Sequence, residues 1–503
     1  MKTDKPEVKV IRGGLILDSD MDQPVRADLV VKGQSIVDIV YAQQSYTADF
    51  EDVDASGMLI IPGLVNAHTH SHFTVGKGLN TNWTLELHQH ATSGITGGQS
   101  RDDLSLLAQL AAAEMISKGC TSCYDMVVQL PYPDVEGVDA ISAGYAKAGL
   151  RARIALTVAD KTFWHAVPGL SDHLPQKARE LVESIKLSSA SDVLEACELV
   201  FKNYQSKYPT ISLALAPTIP MLCTRDLLVG AARLAKDSGV GLHTHLAESR
   251  LQAVAGPIKY GTSITGYLQS IAYLGDNLTV AHAVWLDEAD MEILASHNVK
   301  VAHNPISNIR LGNRVASVKK MLDHGLKVGI GTDACTCSDQ LNMFEAMRHA
   351  SLSSRLMSDD PQNWLGARDV FEMSTANGAA IMDNKKIGKI KVGHDCDLVF
   401  LNLNNVNYVP LNDAMTQVVF NENGQSVQHV MISGDFVYFD QKFVKFNYLD
   451  LINRVRSMNE ERKERLSKRV EELRAFESIV AAYCLDFNAS KGGSLTRGGS
   501  AND

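Results

Sequence analysis

Two patterns of apolar and polar positions alternate along this chain. Over the first 60 residues, apolar and polar residues alternate singly, and the same alternation returns after residue 387. Such period-two runs, separated by glycines, are typical of short antiparallel strands. The segments are VKVIRGG, ADLVVKG, SIVDIV and MLII near the start, and IGKIKVG, CDLVFLNL, VQHVMISG and FVYFD near the end. We therefore predict one small β-sandwich composed of residues 1–62 and 387–445.

The middle of the chain follows a different rhythm, in which an amphipathic helix, a glycine and an apolar strand succeed one another. Ser100 and Asp103 have the spacing of a capping box, and they precede a helix that we predict to end near Lys118. Similar helix–strand units recur three more times between residues 224 and 333. Repeated units of this kind predict a parallel sheet, and their number predicts a TIM barrel. The predicted fold class is therefore α/β, with a (β/α)8 barrel at 63–386.

The last part of the chain is charged and helical in pattern. Apolar residues recur at spacings of three or four between Leu466 and Tyr483, so that one helix face is apolar. We predict a helical segment at 446–486 that packs on the body of the protein, with a contact between copies in a homo-oligomer as the alternative. The Gly/Ser-rich residues 487–503 are predicted to be a disordered tail.

Composition and charge exclude several classes of partner. The chain has 503 residues, of which 45% are hydrophobic and 21% charged, as in ordinary globular proteins. A formal net charge of −10 gives no support to nucleic-acid binding, which needs a basic face. No apolar run approaches the roughly 18 residues of a membrane span, and no secretory signal precedes the first strand. The eight cysteines do not suggest a disulfide framework, so we predict a cytoplasmic protein in which Cys120 and Cys123 are core residues.

Histidines and carboxylates stand at the ends of the predicted barrel strands. His68 and His70 follow an apolar strand, and residues i and i+2 of a strand face the same way. The corresponding residues of later strands are His245 with Glu248, then His282, then Asp333. Three imidazoles and one aspartate can hold zinc or ferrous iron and leave a position for water. Each motif alone is a weak signal, but their order at the active end of a barrel favours a metal site.

The motifs resemble those of the amidohydrolase superfamily. They are PGLVNAHTHSH, HTHLAES, VAHAVWLD, VAHNPISN and VGIGTDACTCSDQLNMFEAMRHAS. Within that superfamily they are similar to the triazine chlorohydrolases and aminohydrolases and to the deaminases of S-adenosylhomocysteine-like and guanine-like compounds. The resemblance covers residues 8–445 and implies a barrel with an appended β-sandwich. It also implies one divalent metal per subunit, with the ligands His68, His70, His245 and Asp333, and the catalytic residues Glu248, His282 and Asp333.

The same resemblance implies the reaction. A metal-activated hydroxide would replace an amino, substituted amino or halide group of an N-heterocyclic small molecule. Asp333 would accept the proton of the water, His282 would hold the hydroxide, and Glu248 would protonate the ring. Zinc is favoured and ferrous iron is the alternative. One metal is expected because the fourth-strand segment ISLALAPTIP lacks the lysine of the binuclear branch.

Two alternatives to this reaction remain. Hydrolysis of an amide, urea or carbamate bond would need the same mononuclear site, so the sequence does not separate it from ring substitution. A non-enzymatic scaffold on the same barrel would have lost metal ligands, whereas all the implied ligands and catalytic residues are present.

Four residues are predicted to contact the substrate, namely Trp83, Thr218, Cys337 and His72. Thr218 stands where deaminases of this group often carry a histidine, which favours a triazine-type over an adenosine-type substrate. Cys337 falls on a position that touches substrate in relatives, with inert filler as the alternative. Because the ligand set is already complete, neither Cys335 nor Cys337 is expected to bind the metal.

The remaining candidates flank the first strand. His72 continues the strand parity of His68 and His70 and is predicted to line the pocket, with a packed or loop histidine as the alternative. Trp83 belongs to NWTLELHQH, which we predict to be a loop over the substrate. The same loop carries Glu86, His88 and His90, for which ordinary packing is the alternative.

Overall fold

Strands from both ends of the chain lie next to one another, outside a barrel formed by the middle. The computed structural model describes residues 8–41, 50–79 and 81–491. Its strands form sheets of four, eight and seven strands. The N-terminal strands are β1 (Val8–Arg12), β2 (Leu15–Ile16), β3 (Val25–Arg26), β4 (Asp28–Lys32), β5 (Ser35–Val40), β6 (Glu51–Asp54) and β7 (Met58–Pro62).

The barrel consists of eight parallel strands that neighbour one another in chain order. They are β8 (Leu64–Thr69), β9 (Cys120–Val128), β10 (Arg151–Val158), β11 (Ile211–Pro217), β12 (Gly241–Leu246), β13 (Leu278–His282), β14 (Lys300–His303) and β15 (Lys327–Ile330). The first and last strands meet where Thr69 pairs with Asp333. The amide of Asn66 strengthens this closure, because it donates to Oγ1 of Thr332 at 2.7 Å and accepts from its main-chain N at 3.0 Å.

The C-terminal strands complete the outer sheets. They are β16 (Leu398–Asn402), β17 (Val427–Ile432), β18 (Asp435–Phe439) and β19 (Lys442–Phe443). β16 pairs with β7 in an antiparallel register, so that the two ends of the chain share one sheet. Ile11 and Leu29 of the four-stranded sheet pack in one buried cluster with Ile60 and Phe400 of the seven-stranded sheet. The predicted barrel with a β-sandwich from both chain ends is confirmed.

Helices surround the barrel and fill its connections. Those up to the last barrel strand are α1 (Leu85–Thr96), α2 (Arg101–Ser117), α3 (Val135–Ala148), α4 (Phe163–Ala166), α5 (Leu170–His173), α6 (Gln176–Ser184), α7 (Ala190–Asn203), α8 (Arg225–Asp237), α9 (Arg250–Tyr260), α10 (Ile264–Ser270), α11 (Glu288–Ser296), α12 (Pro305–Arg310) and α13 (Val318–Asp323). Those that follow are α14 (Cys335–Ser338), α15 (Met343–Ser354), α16 (Ala367–Met373), α17 (Ala376–Ile381), α18 (Ala414–Phe420), α19 (Tyr448–Arg474) and α20 (Glu477–Lys491). The described helices include none with the length and apolar character that a membrane crossing requires.

Short 3-10 helices supplement them at Ser71–Gly76, Pro220–Leu222, Pro361–Asn363 and Val406–Tyr408.

The capping box predicted for α2 is present, because Ser100 and Asp103 each accept a hydrogen bond from the other's main-chain N. Cys120 and Cys123 are buried core residues of β9, as predicted.

The structure corrects two local predictions in the outer parts of the fold. The segment IGKIKVG, predicted to be a strand, is irregular, because Gly388 and Gly393 adopt left-handed backbone angles (φ 79° and 86°). The main-chain N of Ile390 in that segment instead donates to Oδ2 of Asp18 at 2.6 Å. The segment LELHQH, predicted to be part of a loop, begins α1, with Thr84 as its capping residue.

The C-terminal segment forms two helices rather than one. α19 is followed at Ala475 and Phe476 by a break, after which α20 continues to Lys491. The tail predicted from residue 487 is therefore wrong for residues 487–491, where Phe487 is buried against the main core. Residues 492–503 lie outside the described residues, and the other predicted domain bounds stay predictions.

One buried ion cluster joins the barrel to the outer sheets. Arg151, the first residue of β10, lies 3.2 Å from Oδ2 of Asp397 and 3.1 Å from Oδ2 of Asp395. It also donates to Oγ of Ser433 at 3.0 Å. Contact with these carboxylates outweighs the effect of burial and raises the pKa of Arg151.

We predict that Arg151→Met strongly destabilises the protein. The substitution keeps an apolar stem but leaves two buried carboxylates without a counter-charge, which costs about 3–5 kcal/mol. The free energy of unfolding measured in urea checks this. Arg101→Met is the matched control, because Arg101 is half-exposed in its contacts with Asp134 and Glu136 and should cost at most about 1 kcal/mol. Equal losses in the two variants would contradict the prediction.

Candidate functional site

The carboxyl ends of the first, fifth and eighth barrel strands bring four side chains together. His68 lies in β8 and His70 directly follows it, while His245 lies in β12 and Asp333 follows β15. Ring nitrogens of the three histidines lie within 4.8 Å of one another, and Asp333 forms a second such group with His68 and His282. All of these residues are buried. The structure therefore brings together the residues that the sequence analysis named, and their role as metal ligands stays a prediction.

Main-chain carbonyls orient two of the imidazoles. Nδ1 of His70 lies 2.8 Å from the carbonyl of Met126, and Nδ1 of His245 lies 2.6 Å from that of Thr218. Because a carbonyl only accepts, both Nδ1 atoms carry hydrogen, and in the neutral rings both Nε2 atoms present lone pairs. These two Nε2 atoms lie 3.2 Å apart.

Two facing lone pairs repel each other unless a cation lies close to both. Burial, followed by the neighbouring histidines, lowers the pKa of His245 well below its usual value, so this ring does not supply a proton. Metal-binding histidines usually donate their other ring N–H to a carbonyl or carboxylate, as both rings do here. The geometry of His70 and His245 therefore fits a divalent metal.

His68 and Asp333 complete the cluster. Neither ring nitrogen of His68 has a hydrogen-bond partner among the described residues, and burial lowers the pKa of this ring to about 3. Its Nε2 lies 3.5 Å from Oδ1 of Asp333, and Nε2 of His70 lies 3.4 Å from the same oxygen. A buried ring without a partner is costly, and an ion shared with Asp333 would satisfy it.

The two oxygens of Asp333 face different neighbours. Oδ1 accepts from the main-chain N of Ala334 at 2.7 Å and points towards His68. Oδ2 accepts from Oγ of Ser307 at 2.5 Å and lies 3.7 Å from Nε2 of His282. Burial alone raises the pKa of this carboxyl, but the contact with His68 and the other imidazoles outweighs it and keeps the pKa well below its usual value. Asp333 is therefore ionised.

Glu248 has the opposite protonation. It is only 2% exposed, and burial, with smaller contributions from Asp333 and Glu86, raises its pKa well above the usual value. Its Oε1 accepts from Nδ2 of Asn313 at 3.3 Å and lies 3.7 Å from Nδ1 of His282. A protonated carboxyl in this position can donate a proton to a bound molecule.

His282 lies between the two carboxyls. Its Nδ1 is 2.8 Å from Oδ1 of Asn308, an acceptor, so that Nε2 presents a lone pair towards Asp333. The backbones of His282 and Asp333 adopt left-handed angles, with φ of 73° and 62°. Such angles are strained for residues other than glycine and are concentrated at functional sites.

A cavity of about 290 Å³ opens above these residues. Its floor carries Glu248, His282 and Asp333. Its walls are mainly apolar and include Phe73, Leu85, Tyr132, Phe163, Trp164 and Leu311. An apolar cavity with a few convergent polar groups is typical of a site for a small organic molecule.

Three of the four predicted substrate contacts line this cavity, namely Thr218, Cys337 and His72. Sγ of Cys337 lies 3.3 Å from Oδ2 of Asp333, so this thiol belongs to the floor. His72 lines the cavity, but it does not continue the strand of His68 as predicted. β8 ends at Thr69, and His72 lies in the 3-10 helix Ser71–Gly76.

Trp83 lies beside the cavity rather than in its wall. It packs against the cluster that contains Phe73 and Cys337, and it lines a groove against Leu466 and other residues of α19. Its predicted contact with the substrate stays a prediction.

The histidines of α1 divide between two roles. His88 lines the cavity, and its Nε2 lies 2.7 Å from Oγ1 of Thr336. His90 faces away from it: its Nε2 is 3.0 Å from the carbonyl of Leu473, and its Nδ1 accepts from Nε1 of Trp164 at 3.0 Å. His90 therefore fastens α1 to the C-terminal helices.

The sequence analysis missed the residues that support the site. Asn308 and Asn313 orient His282 and Glu248, and Asp125 holds the start of the 3-10 helix by accepting from N and Oγ of Ser71 at 2.8 and 2.6 Å. Ser307 also supports the site, because its Oγ donates to Oδ2 of Asp333. The one feature of the sequence that could have pointed to Asn308 and Asn313 was the number of asparagines that follow the seventh barrel strand.

Known proteins share the sequence over most of its length. The 5'-deoxyadenosine deaminase of Methanopyrus kandleri is 30% identical over 409 residues, which cover 80% of this chain and 87% of that protein. The 5-methylthioadenosine/S-adenosylhomocysteine deaminase of Desulforudis audaxviator is 31% identical over 399 residues, which cover 78% and 84% of the two chains.

Solved structures share the fold. An adenosine deaminase from Xanthomonas campestris with bound zinc superposes with a TM-score of 0.80 at 22% identity, covering 92% of this chain and 99% of that one. Atrazine chlorohydrolase from Arthrobacter aurescens TC1, complexed with zinc, gives 0.78 at 22% identity, covering 90% and 99%.

The model of the amidohydrolase family matches residues 59–437, which include every strand of the barrel and every residue of the candidate site. The predicted enzyme type, a hydrolase of carbon–nitrogen bonds, is confirmed. The chain belongs to the amidohydrolase family.

Proposed function

We propose that this enzyme removes an amino or halide group from the ring of an N-heterocyclic small molecule by hydrolysis, with one zinc ion held by His68, His70, His245 and Asp333. The observation that carries the proposal is the pair of Nε2 lone pairs, 3.2 Å apart, on His70 and His245. The relatives named above as deaminases, and the zinc in two structural neighbours, support it.

A divalent metal in this position supplies a Lewis acid that lowers the pKa of a water molecule towards neutrality. The protein's own groups manage the proton of that water. Oδ2 of Asp333 is ionised and faces the cavity floor, so it accepts the proton. Nε2 of His282, held by Asn308, accepts a hydrogen bond from the attacking oxygen and keeps it in line with the ring carbon.

Glu248 activates the ring. Its protonated carboxyl donates to a ring nitrogen, which makes the adjacent carbon more electrophilic. The oxygen then adds to that carbon, and the bond from carbon to nitrogen or halide breaks. The proton taken up by Asp333 leaves with the amine, or passes to solvent when a halide leaves, and the proton of the added hydroxyl returns to Glu248. The two carboxyls can hold opposite protonation states because their surroundings differ.

The size of the cavity favours a compact substrate. A volume of about 290 Å³ is at the small end of the roughly 300–1,000 Å³ typical of ligand pockets. The apolar walls fit the faces of an aromatic ring, and the named relatives act on adenosine-like compounds. Thr218 lines the wall of the cavity at the position where deaminases of this group often carry a histidine, so a triazine-type ring remains a candidate substrate.

The cytoplasmic location and a homo-oligomer, dimeric or larger, also remain proposals. All eight cysteines are buried and unbridged, which fits a reducing compartment.

We predict that removal of the metal lowers the melting temperature and that zinc restores it. A ligand that binds only the folded state stabilises it by about 2.7 kcal/mol at a concentration 100-fold above its dissociation constant. Differential scanning fluorimetry before and after chelation measures the effect, and elemental analysis counts the metal. His70→Ala should abolish both the metal content and the zinc response. His349→Ala, on a half-exposed histidine of α15, is the control that should keep both.

We predict turnover within a panel of aminated and halogenated heterocycles by the zinc-loaded enzyme. The panel contains 5'-deoxyadenosine, S-adenosylhomocysteine, triazines, pyrimidines, pterins, and aryl ureas and amides. Mass spectrometry should show oxygen in place of the leaving group, with release of ammonia or halide. Turnover of ureas or amides alone would replace the proposal by hydrolysis of those bonds. If the folded, zinc-loaded enzyme converted no compound of the panel, the result would count against the proposed function.

We predict that kcat/KM falls as pH rises through the pKa of Glu248. The raised pKa keeps the acid form at neutral pH, and deprotonation removes the proton donor. Glu248→Gln should lower kcat/KM by about 10²–10⁴-fold and abolish this alkaline decline. Glu460→Gln, at an exposed position of α19, is the matched control and should retain the wild-type profile. An alkaline decline that persists in Glu248→Gln would show that another group causes it.

A further inference from the structure

A second cavity lies at the opposite end of the barrel from the candidate active site. Its volume is about 800 Å³, and its walls include the amino-terminal ends of several barrel strands. Gly241 is the first residue of β12, Lys300 the first of β14, and Lys327 the first of β15. The two cavities share no lining residue, so this one is a separate feature.

Arg153 of β10 lines this cavity and is buried without direct contact to a carboxylate, although Asp276 and Asp383 line the same cavity. It is only 8% exposed and makes no ion pair or hydrogen bond with any described residue. Its guanidinium carbon lies 5.4 Å from the centre of the Tyr124 ring. Arg151, two residues earlier on the same strand, contacts two carboxylates. Burial of an arginine without an ion-pair partner costs free energy. Of these two arginines, only Arg153 lacks such a partner.

The close packing around Arg153 holds its guanidinium in place. A Cβ atom at Gly241 would lie 3.0 Å from Nη2 of Arg153 and 2.9 Å from the hydroxyl of Tyr124. Glycine at the start of β12 therefore leaves the space that these two side chains occupy. The hydroxyl of Tyr124 is also buried and has no hydrogen-bond partner among the described residues.

The cavity is positively charged in a protein with a net charge of −10. Its lining includes four basic and two acidic side chains, Arg153, Lys236, Lys300 and Lys327 against Asp276 and Asp383. Nζ of Lys300 donates at 2.6 Å to the main-chain carbonyl of Asp276 rather than to a carboxylate. Burial lowers the pKa of Lys300; the carboxylates of Asp383 and Asp276 oppose this effect, and the positive charges of Arg153 and Lys327 add to it. A concave basic surface of this kind concentrates anions.

We propose that this cavity binds the phosphate group of a small anion, either free phosphate or a phosphorylated metabolite, with Arg153 as its central contact. The planar guanidinium presents paired N–H donors that match two oxygens of a phosphate. Lys300 and Lys327 supply further positive charge for a second negative charge of the ligand. The volume exceeds what free phosphate needs and accommodates a sugar or base attached to it.

The test is calorimetric titration of the zinc-loaded, full-length enzyme at constant ionic strength. The probes are inorganic phosphate and ribose 5-phosphate, with ribose and succinate as comparisons. We expect both phosphates to bind and ribose not to bind. Tighter binding of ribose 5-phosphate identifies a phosphorylated metabolite as the ligand, and tighter binding of inorganic phosphate identifies the free ion.

Two variants locate the site. Arg153→Gln should weaken phosphate binding by about tenfold or more, since it removes charge-assisted hydrogen bonds. Lys327→Ala, at an exposed position, should weaken it by about threefold even if Arg153→Gln does not fold, since it removes one charge. Lys442→Ala, on the exposed strand β19, is the matched control and should bind as the wild type does.

Three results would overturn the proposal. The first is the absence of binding of both phosphates to the wild type. The second is binding that neither Arg153→Gln nor Lys327→Ala changes, which would place the phosphate at the metal centre or elsewhere. The third is succinate binding as tight as that of the phosphates, which would show a general attraction of anions rather than a phosphate site.

Discussion

The closure of the barrel at Asp333 is the constraint on which the candidate site depends. The main-chain N of Asp333 donates to the carbonyl of His68 at 2.9 Å, and Asn66 ties the same two strands through Thr332. This pairing joins the first strand to the last and brings an imidazole and a carboxylate from opposite ends of the barrel sequence into contact. The left-handed backbone at Asp333 turns its side chain inward at that point. The contacts that close the barrel therefore also fix the positions of His68 and Asp333 in the candidate site.

The chemistry of the site depends on a difference between two buried carboxyls. Asp333 accepts hydrogen bonds from the main-chain N of Ala334 and from Oγ of Ser307, and imidazoles lie beside both of its oxygens, so it stays ionised. Glu248 has one amide donor and other carboxylates nearby, so it stays protonated. Burial raises the pKa of both groups, and their charged or ionisable neighbours, imidazoles for Asp333 and carboxylates for Glu248, decide the outcome. One site can therefore offer a base and an acid at the same pH.

The sequence predicted those parts of the fold and site that depend on local pattern. Strand parity identified the shared direction of His68 and His70, and the end of a strand identified Glu248. The same parity failed at His72, because a tertiary contact from Asp125 to Ser71 begins a 3-10 helix there. It also gave no information on Asn308 and Asn313, since an amide that orients a catalytic group looks like any loop residue. What the sequence could not supply were the individual side-chain contacts that orient these groups, such as those of Asn308 with His282 and of Asn313 with Glu248.

A chain of polar side chains leads from the candidate site to Arg153, whereas branched apolar layers usually fill such barrels. The rings of Tyr124 and His243 lie 4.5 Å apart, and those of His243 and His68 lie 5.0 Å apart. Both ring nitrogens of His243 have no hydrogen-bond partner among the described residues, and Arg153 lies beneath Tyr124. Because His243 and His245 share one strand face, the contacts of His243 also hold the strand that carries His245. The packing of the barrel interior therefore limits how far His68 and His245 can move.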